Sequence, residues 1–402
     1  MSHYDDAVYG GQFKKLKNFS GAPVQRIKYD ESLLDKEIDI DGLPEGEWIC
    51  RGVYRMERVF AYGRKYGRVT LENPDPAANI LMPWGGAQKS VYLDLETTGL
   101  SANKGSYAFL AGLGFNGPDS FRVVHLFLAG PAWERNWLKA MEDELPDNFG
   151  FVTYNGRMFD IPMLRIRYAL LGAKPVWDSS PHLDLLMLAR HFYRGRMASC
   201  SLSEIEKHVL GVYRSDDDIP GSRIPALYTG YLTTSDASAL RGVFYHNMLD
   251  VISLGVLQKH LSELVKMGGF SGEDMIRCGD LWDRQGDGTR AKTAWQSALD
   301  FSGSEHAANT RLAEIAKKCG EYRIAKKHLE AAAEKSDCPV DNLIDIAKIE
   351  EHYLKDLNNA LFHLKQALEW LDSNSNGGWD IKRHDILFRI KRLEQKLTKT
   401  WK

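Results

Sequence analysis

Cysteine is scarce in this chain and unpaired in pattern. Five occur among 402 residues, at Cys50, Cys200, Cys278, Cys319 and Cys338, an odd count with no C-x-x-C pair, and no histidine cluster stands at zinc-ligand spacing. A disulfide framework is not expected, and a reducing compartment suits the count. Long apolar runs are missing too: no stretch reaches the roughly 18 residues of a membrane span. The opening segment MSHYDDAVYGGQFKK lacks the apolar core of a secretory signal, so a soluble, cytoplasmic protein is expected. There is no excess of one charge, since 52 Lys and Arg face 54 Asp and Glu for a net charge of -2. A histone-like polycation is thereby excluded, and any nucleic-acid binding must rest on local basic patches. What the chain does have is apolar bulk, 44% hydrophobic with 10 Trp and 16 Phe, enough to fill more than one core in the two or three domains its length predicts.

Four regions follow one another. Residues 1–45 mix charge, Gly and Pro with little periodicity and read as a partly extended arm. Residues 46–89 contain an alternating stretch, Trp48 to Leu71, around Tyr62-Gly63-Arg64-Lys65-Tyr66-Gly67, which predicts a basic β-hairpin packing on the next domain. Its charge is one-sided, with Arg51, Arg55, Arg58, Arg64, Lys65 and Arg68 against Glu57. Residues 90–268 carry short apolar strands (SVYLDLE, YAFLAGLGF, FRVVHLFLAG), the amphipathic segment WERNWLKAMEDELP, a fourth strand GFVTYNG and the helical RMFDIPMLRIRYALLG. That order predicts an α/β fold, a mixed sheet flanked by helices. Past Gly268-Gly269, residues 270–402 are helical and repetitive. Ala291 and Ala298 recur as Ala325 and Ala332 after 34 residues and as Ala360 and Ala367 after 35 more. Such a period with paired small residues is the tetratricopeptide signature, against the alternative of an Ala-rich bundle. Gly279 and Ala313 occupy equivalent places, Ala347 is displaced by one, and DIKRHDILFRIKRLEQKLTKTWK reads as a basic capping helix.

Chemistry concentrates in the α/β region. Asp94 and Glu96 end the first strand as LDLETTGL, and strand alternation points both carboxylates into one small volume, which favours a hard cation such as Mg²⁺ or Mn²⁺ between them. Asp160, in YNGRMFDIPML, stands where the fourth strand gives way to a helix, either facing a cleft or stabilising the helix dipole. Asp250 borders the apolar face Val251, Leu254 and Leu257, where a carboxylate is costly unless paired or metal-bound. His246 lies one turn before it and shares its face. Asp184 is a fifth acidic candidate, better suited to ordering its helix. Arg190, Arg194 and Arg196 interleave with Phe192 and Tyr193, a combination that serves backbone contact and base stacking, or simply a solvated helix end.

Taken together, these residues resemble the DEDD exonucleases of the DnaQ-like branch of the ribonuclease H-like fold. Asp94 and Glu96 match the first motif, Asn155-Gly156 to Phe159-Asp160 the second, and His246 with Asp250 the third. One subclass of that superfamily has His five residues before the last Asp and another has Tyr four before it. Here His246 stands four before and Tyr245 five before; imidazole titrates near neutrality, which favours His246 as the base and leaves Tyr245 as the alternative. A broader likeness, carried by HLDLLMLARHFYRGRMASCSLSEIEKHVLG, DIPGSRIPALYTGYL and HNMLDVISL, is to the YprB family. Its members, including the mitomycin repair factor B type of DNA-repair exonuclease with a partner helicase, place an exonuclease-like domain before tetratricopeptide repeats. The resemblance implies 3′ to 5′ hydrolysis of DNA in repair. Asp94, Glu96, Asp160 and Asp250 would hold two divalent ions, with His246 as general base, and Asn155, Arg64, Lys65 and the three arginines of RHFYRGR would guide the strand. A ribonuclease of the same mechanism and a catalytically weak scaffold are the rival readings.

Overall fold

The structure is a computed structural model that describes residues 40–73, 89–99, 105–215, 218–374 and 379–400. Most of the arm expected over residues 1–45 therefore lies outside the described residues. Two compact units divide the chain, residues 1–261 and 262–402, and each is taken by itself.

The first unit is built on a seven-stranded mixed sheet. Its strands are β1 (Glu47–Cys50), β2 (Val53–Ala61), β5 (Lys89–Thr97), β6 (Ala108–Asn116), β7 (Ser120–Leu128), β8 (Phe149–Thr153) and β9 (His182–Asp184), in the order β1-β2-β7-β6-β5-β8-β9. The four strands expected between residues 90 and 156 are β5 to β8. The first three form an antiparallel meander, while β8 runs parallel to β5 and β9 parallel to β8. In the stretch Trp48 to Leu71 the structure differs from the expected hairpin. Residues 53–61 pair antiparallel with β7 along their whole length, so they are part of the central sheet. The alternation of VYRMERVFA, which reads as a half-buried hairpin arm, is that of a strand with one face on the core and the other toward solvent. A separate two-stranded hairpin, β3 (Lys65–Tyr66) with β4 (Val69–Thr70), turns at Gly67-Arg68, where Gly67 takes a left-handed φ of 62°.

Helices cover the sheet: α1 (Glu134–Glu144), α2 (Asp160–Leu170), α3 (Leu185–Tyr193), α4 (Leu202–Ile205), α5 (Ile224–Thr234) and α6 (Arg241–Lys266). Two of them are pinned by buried aromatic residues whose polar ends are satisfied. Trp137 of α1 donates to the Leu126 carbonyl at 2.8 Å, and the Tyr228 and Tyr231 hydroxyls of α5 reach the carbonyls of Leu128 and Ala129 at 2.9 Å. α4 runs on into a π-helical turn, Glu206–Leu210, closed by left-handed Gly211; such turns are uncommon and frequently accompany functional sites. α6 approaches the sheet closely because two glycines of β6 leave room. A β-carbon on Gly112 would lie 2.0 Å from Asn247 Oδ1, and one on Gly114 would lie 2.7 Å from Val251 Cγ1.

The second unit is helical throughout its described residues. α7 (Gly272–Arg284) pairs with α8 (Gly288–Ala298), α9 (Glu305–Lys318) with α10 (Tyr322–Glu334), α11 (Val340–Ile349) with α12 (Leu357–Ser373), and α13 (Asp380–Thr400) packs on α12. All six recurring alanines, Ala291, Ala298, Ala325, Ala332, Ala360 and Ala367, are completely buried. At Gly279 an added β-carbon would meet the Trp295 ring at 2.2 Å, so small residues do set helix separation here. The basic face expected of the last helix is largely neutralised: Lys382 pairs with Asp341, Arg383 with Asp372, Arg389 with Asp385, and Arg392 and Lys396 both with Glu351.

Candidate active site

Three elements bring the acidic residues together. Along β5 the buried Leu93 and Leu95 alternate with Asp94 and Glu96, which places both carboxylates on the face that α6 crosses. Asp160 opens α2, is 4% exposed and accepts the Leu95 N–H at 3.1 Å, so one side chain ties the second motif to the first. It is a first-turn carboxylate of α2 that also lies within reach of the charges of Asp94 and Asp250. Asp250 and His246 come from one face of α6, with His246 Nε2 3.5 Å from Asp250 Oδ2. Ligand atoms of Glu96, His246 and Asp250 lie within 4.8 Å of one another.

Electrostatics mark the same cluster. Desolvation, followed by the negative charge of Asp250, pushes the Glu96 carboxyl up to about 8. Burial also raises Asp160 to about 7, and Asp94 is raised well above its ordinary value by burial and then by Asp250, Glu96 and Asp160. Four carboxylates so placed repel one another and call for added positive charge. With one imidazole beside them and no thiol in the group, the donor set fits a hard divalent cation.

Several residues that surround the cluster were not singled out in the sequence. Asn247, fully buried, donates to Asp94 Oδ2 at 2.7 Å and fixes that carboxylate's rotation. Arg214 stands against Asp250, while its other bonds run to Glu206 (2.7 and 2.6 Å), to Asp218 (3.2 Å) and toward His246 Nδ1 (3.3 Å). Glu206 is buried in the π-helical turn and also accepts from Ser253. Behind the cluster, His125 faces Gly112 across the β6–β7 pairing, and burial pushes its pKa down to about 3, so it is neutral. The pair of glycines at alternate positions in YAFLAGLGF was the available signal, because glycine inside a strand marks close backbone approach.

The remaining expected residues fall out unevenly. Asp184 caps α3, accepting backbone N–H bonds from Leu186, Asn155 and Arg157 at 3.1, 2.8 and 3.1 Å; it orders the helix and the β8–α2 turn. Asn155 is exposed in a left-handed conformation. Tyr245 is 46% exposed and lines a shallow groove of about 350 Å³ with Leu43, Met56, Arg58 and Met248, away from the carboxylates that His246 faces. Arg190, Arg194 and Arg196 are exposed, but Phe192 and Tyr193 between them are 0% and 7% exposed. Those two rings are core residues, which corrects the expectation that they stack on bases. Arg64 and Lys65 are exposed on the small hairpin, whose Tyr66 hydroxyl bonds Ser253 of α6 at 2.9 Å.

A mixed sheet of this order, with carboxylates on β5, on the helix after β8 and on a crossing helix, fits a ribonuclease H-like domain. Residues 91–262 match the family model described as the RNase_H superfamily. Nucleases of this fold work with divalent metal ions on nucleic acid. One curated relative is the uncharacterized protein YprB of Bacillus subtilis (strain 168), 33% identical over 199 residues, or 49% of this chain and 48% of that protein. The chain thus aligns with about half the length of that relative. No helix among the described residues is long and apolar enough to cross a membrane.

Proposed function

We propose that this protein is a DEDD-type exonuclease that hydrolyses DNA phosphodiester bonds from 3′ to 5′ in cytoplasmic DNA repair. The observation that carries the reading is the convergence of Asp94, Glu96, Asp160 and Asp250 from three elements, with His246 beside Asp250. These four carboxylates would hold two divalent cations, Mg²⁺ or Mn²⁺, which supply Lewis acidity at the phosphate and offset the charge that bare carboxylates present to an anionic strand. The chain's own residues do the rest. Leu95 and Asn247 fix the rotations of Asp160 and Asp94. His246 Nε2 accepts the proton of the attacking water as it closes on phosphorus, and the 3′-oxygen departs in line. Exposed Arg64, Lys65, Arg190, Arg194 and Arg196, with Asn155, draw the strand in through its phosphates. The helical unit, as tetratricopeptide repeats, would hold a helicase or another protein partner.

The test is degradation of end-labelled DNA and RNA strands of equal length with Mg²⁺ or Mn²⁺ and with EDTA. Shortening of DNA from its 3′ end that stops in chelator is expected. Faster loss of the RNA strand would move the reading to the ribonuclease, and cleavage that survives EDTA would sink the metal mechanism.

A further inference from the structure

Beside the acidic cluster is a further carboxylate, Asp218, that no motif accounts for. Asp218 Oδ1 lies 2.9 Å from His246 Nδ1, on the side of the ring opposite Asp250. Among the described residues three charged groups lie within 3.5 Å of this imidazole, Asp218 at 2.9 Å and Arg214 Nη1 at 3.3 Å on Nδ1 and Asp250 Oδ2 at 3.5 Å on Nε2, with Glu96 further out, within 4.8 Å. Nδ1 can donate to the carboxylate or accept from the guanidinium, but not both. Donation is favoured because the carboxylate is the nearer, and because the Arg214 Nη1 bond of 3.2 Å goes to the other oxygen of Asp218 and leaves Oδ1 open to a donor. A carboxylate held by an arginine keeps its charge and takes a donor on its free oxygen.

Asp218 is itself held. Arg214 is clamped by Glu206 through two bonds of 2.7 and 2.6 Å, and Glu206 is 1% exposed. Next in sequence, Ile219 packs on the sheet's core, and it seats against α6 where Gly242, one turn before His246, has no side chain. A β-carbon there would lie 2.3 Å from Ile219 Cδ1.

We propose that Asp218 is a positioning residue for His246: it holds the ring as the Nδ1–H tautomer and so leaves the Nε2 lone pair toward the carboxylate cluster. This rests on the reading of His246 as the base. Free imidazole favours the other tautomer, so the ring needs such a partner to present Nε2 as an acceptor.

The experiment has two readouts. First, ¹⁵N long-range correlation spectra of His246 in the full chain, taken where the ring is neutral, should show Nδ1 protonated in the parent and the Nε2–H pattern in Asp218→Ala. Second, kcat on a DNA oligonucleotide with Mn²⁺ should fall on the order of 10²-fold in Asp218→Ala, with KM changed by less than about twofold. In a His246→Ala background the same change should cost nothing further, because the two residues act as a unit. Asp218→Asn, which keeps size and an acceptor oxygen, guards against a folding artefact and should retain part of the rate. An unchanged tautomer in Asp218→Ala, or additive losses in the double variant, would overturn the proposal. If instead His246→Ala keeps full activity while the tautomer still depends on Asp218, the positioning contact stands and the reading of His246 as base fails.

Discussion

Gly112 decides how near the third motif comes to the first. It pairs with Asp94 across β5 and β6 and leaves the space that Asn247 fills. Gly112→Ala should therefore displace Asn247, release Asp94, and cost about 1–3 kcal/mol through overpacking; a lowered melting temperature together with lost metal-dependent cleavage is the expected result, and an unchanged melting temperature would show that the contact relaxes freely. Glu96 gives a prediction with the sign fixed by its environment. Burial, and then the charge of Asp250, push its carboxyl up to about 8 from the ordinary 4.5, so between those values the folded protein keeps a proton that the unfolded chain has released. That contribution is intact below the unfolded value and is lost as pH rises through about 8. Metal-free Glu96→Gln should thus match the parent near about pH 5 and exceed it by a few degrees in melting temperature near about pH 8.5. A variant less stable than the parent at the higher pH would contradict the crowding of charge. For the same reason metal should bind more tightly with rising pH and release protons, which calorimetry in buffers of different ionisation enthalpy measures.

At the scale of elements, α3 and its continuation separate what charge does from what rings do. Arg190, Arg194 and Arg196 face solvent while Phe192 and Tyr193 are buried, Tyr193 with its hydroxyl 3.0 Å from His260. Phe192→Ala should cost about 3–5 kcal/mol in stability, whereas Arg190→Ala with Arg194→Ala should leave the melting temperature within about one degree and weaken strand binding with a shallower salt dependence. Binding by the double variant as tight and as salt-sensitive as the parent's would remove these arginines from the interface. This stretch also shows where the sequence is ambiguous: aromatic and basic residues interleave in the same way on a core helix and on a stacking surface, and only burial tells them apart. β2 is a similar case, because alternation specifies a one-faced strand without naming its partner, and β7 lies some 70 residues further on. Strands β5 to β8 were legible since each is an apolar run closed by a turn. That Asp94, Glu96, Asp160 and Asp250 come near one another was legible as well, through their order and apolar neighbours. Asn247, Arg214 and Asp218 were not, because a buried amide and a long-range ion pair leave no periodic trace.

Across the whole chain, the boundary between the two compact units falls in the sequence of α6, between Leu261 and Ser262. Every carboxylate of the cluster, with His246, Asn247, Arg214 and Asp218, belongs to residues 1–261, whose sheet has its own core of strand, α1, α2 and α5 side chains. The helical unit has separate clusters, one from Val340 to Leu393 and one joining Ala313, Leu329 and Ile349. Helical repeats contact mainly their neighbours, so on the proposed reading the first unit should suffice for cleavage. A cut inside α6 would leave Leu264 and Val265, buried at 1% and 2% exposure, on a frayed end; the turn at left-handed Gly268 and Gly269 is the better place. A chain ending at residue 269 should fold, as circular dichroism can verify, and should still cleave a short single strand with Mn²⁺ at low salt. The terminal helix spends five of its cations on acidic partners within its own unit, so removing the helical unit should alter the salt dependence of DNA binding by less than one phosphate contact, while capture of the proposed protein partner should be lost. A folded but inactive chain of 269 residues would mean that the helical unit completes the active site, and a large drop in salt sensitivity would mean that it holds DNA directly.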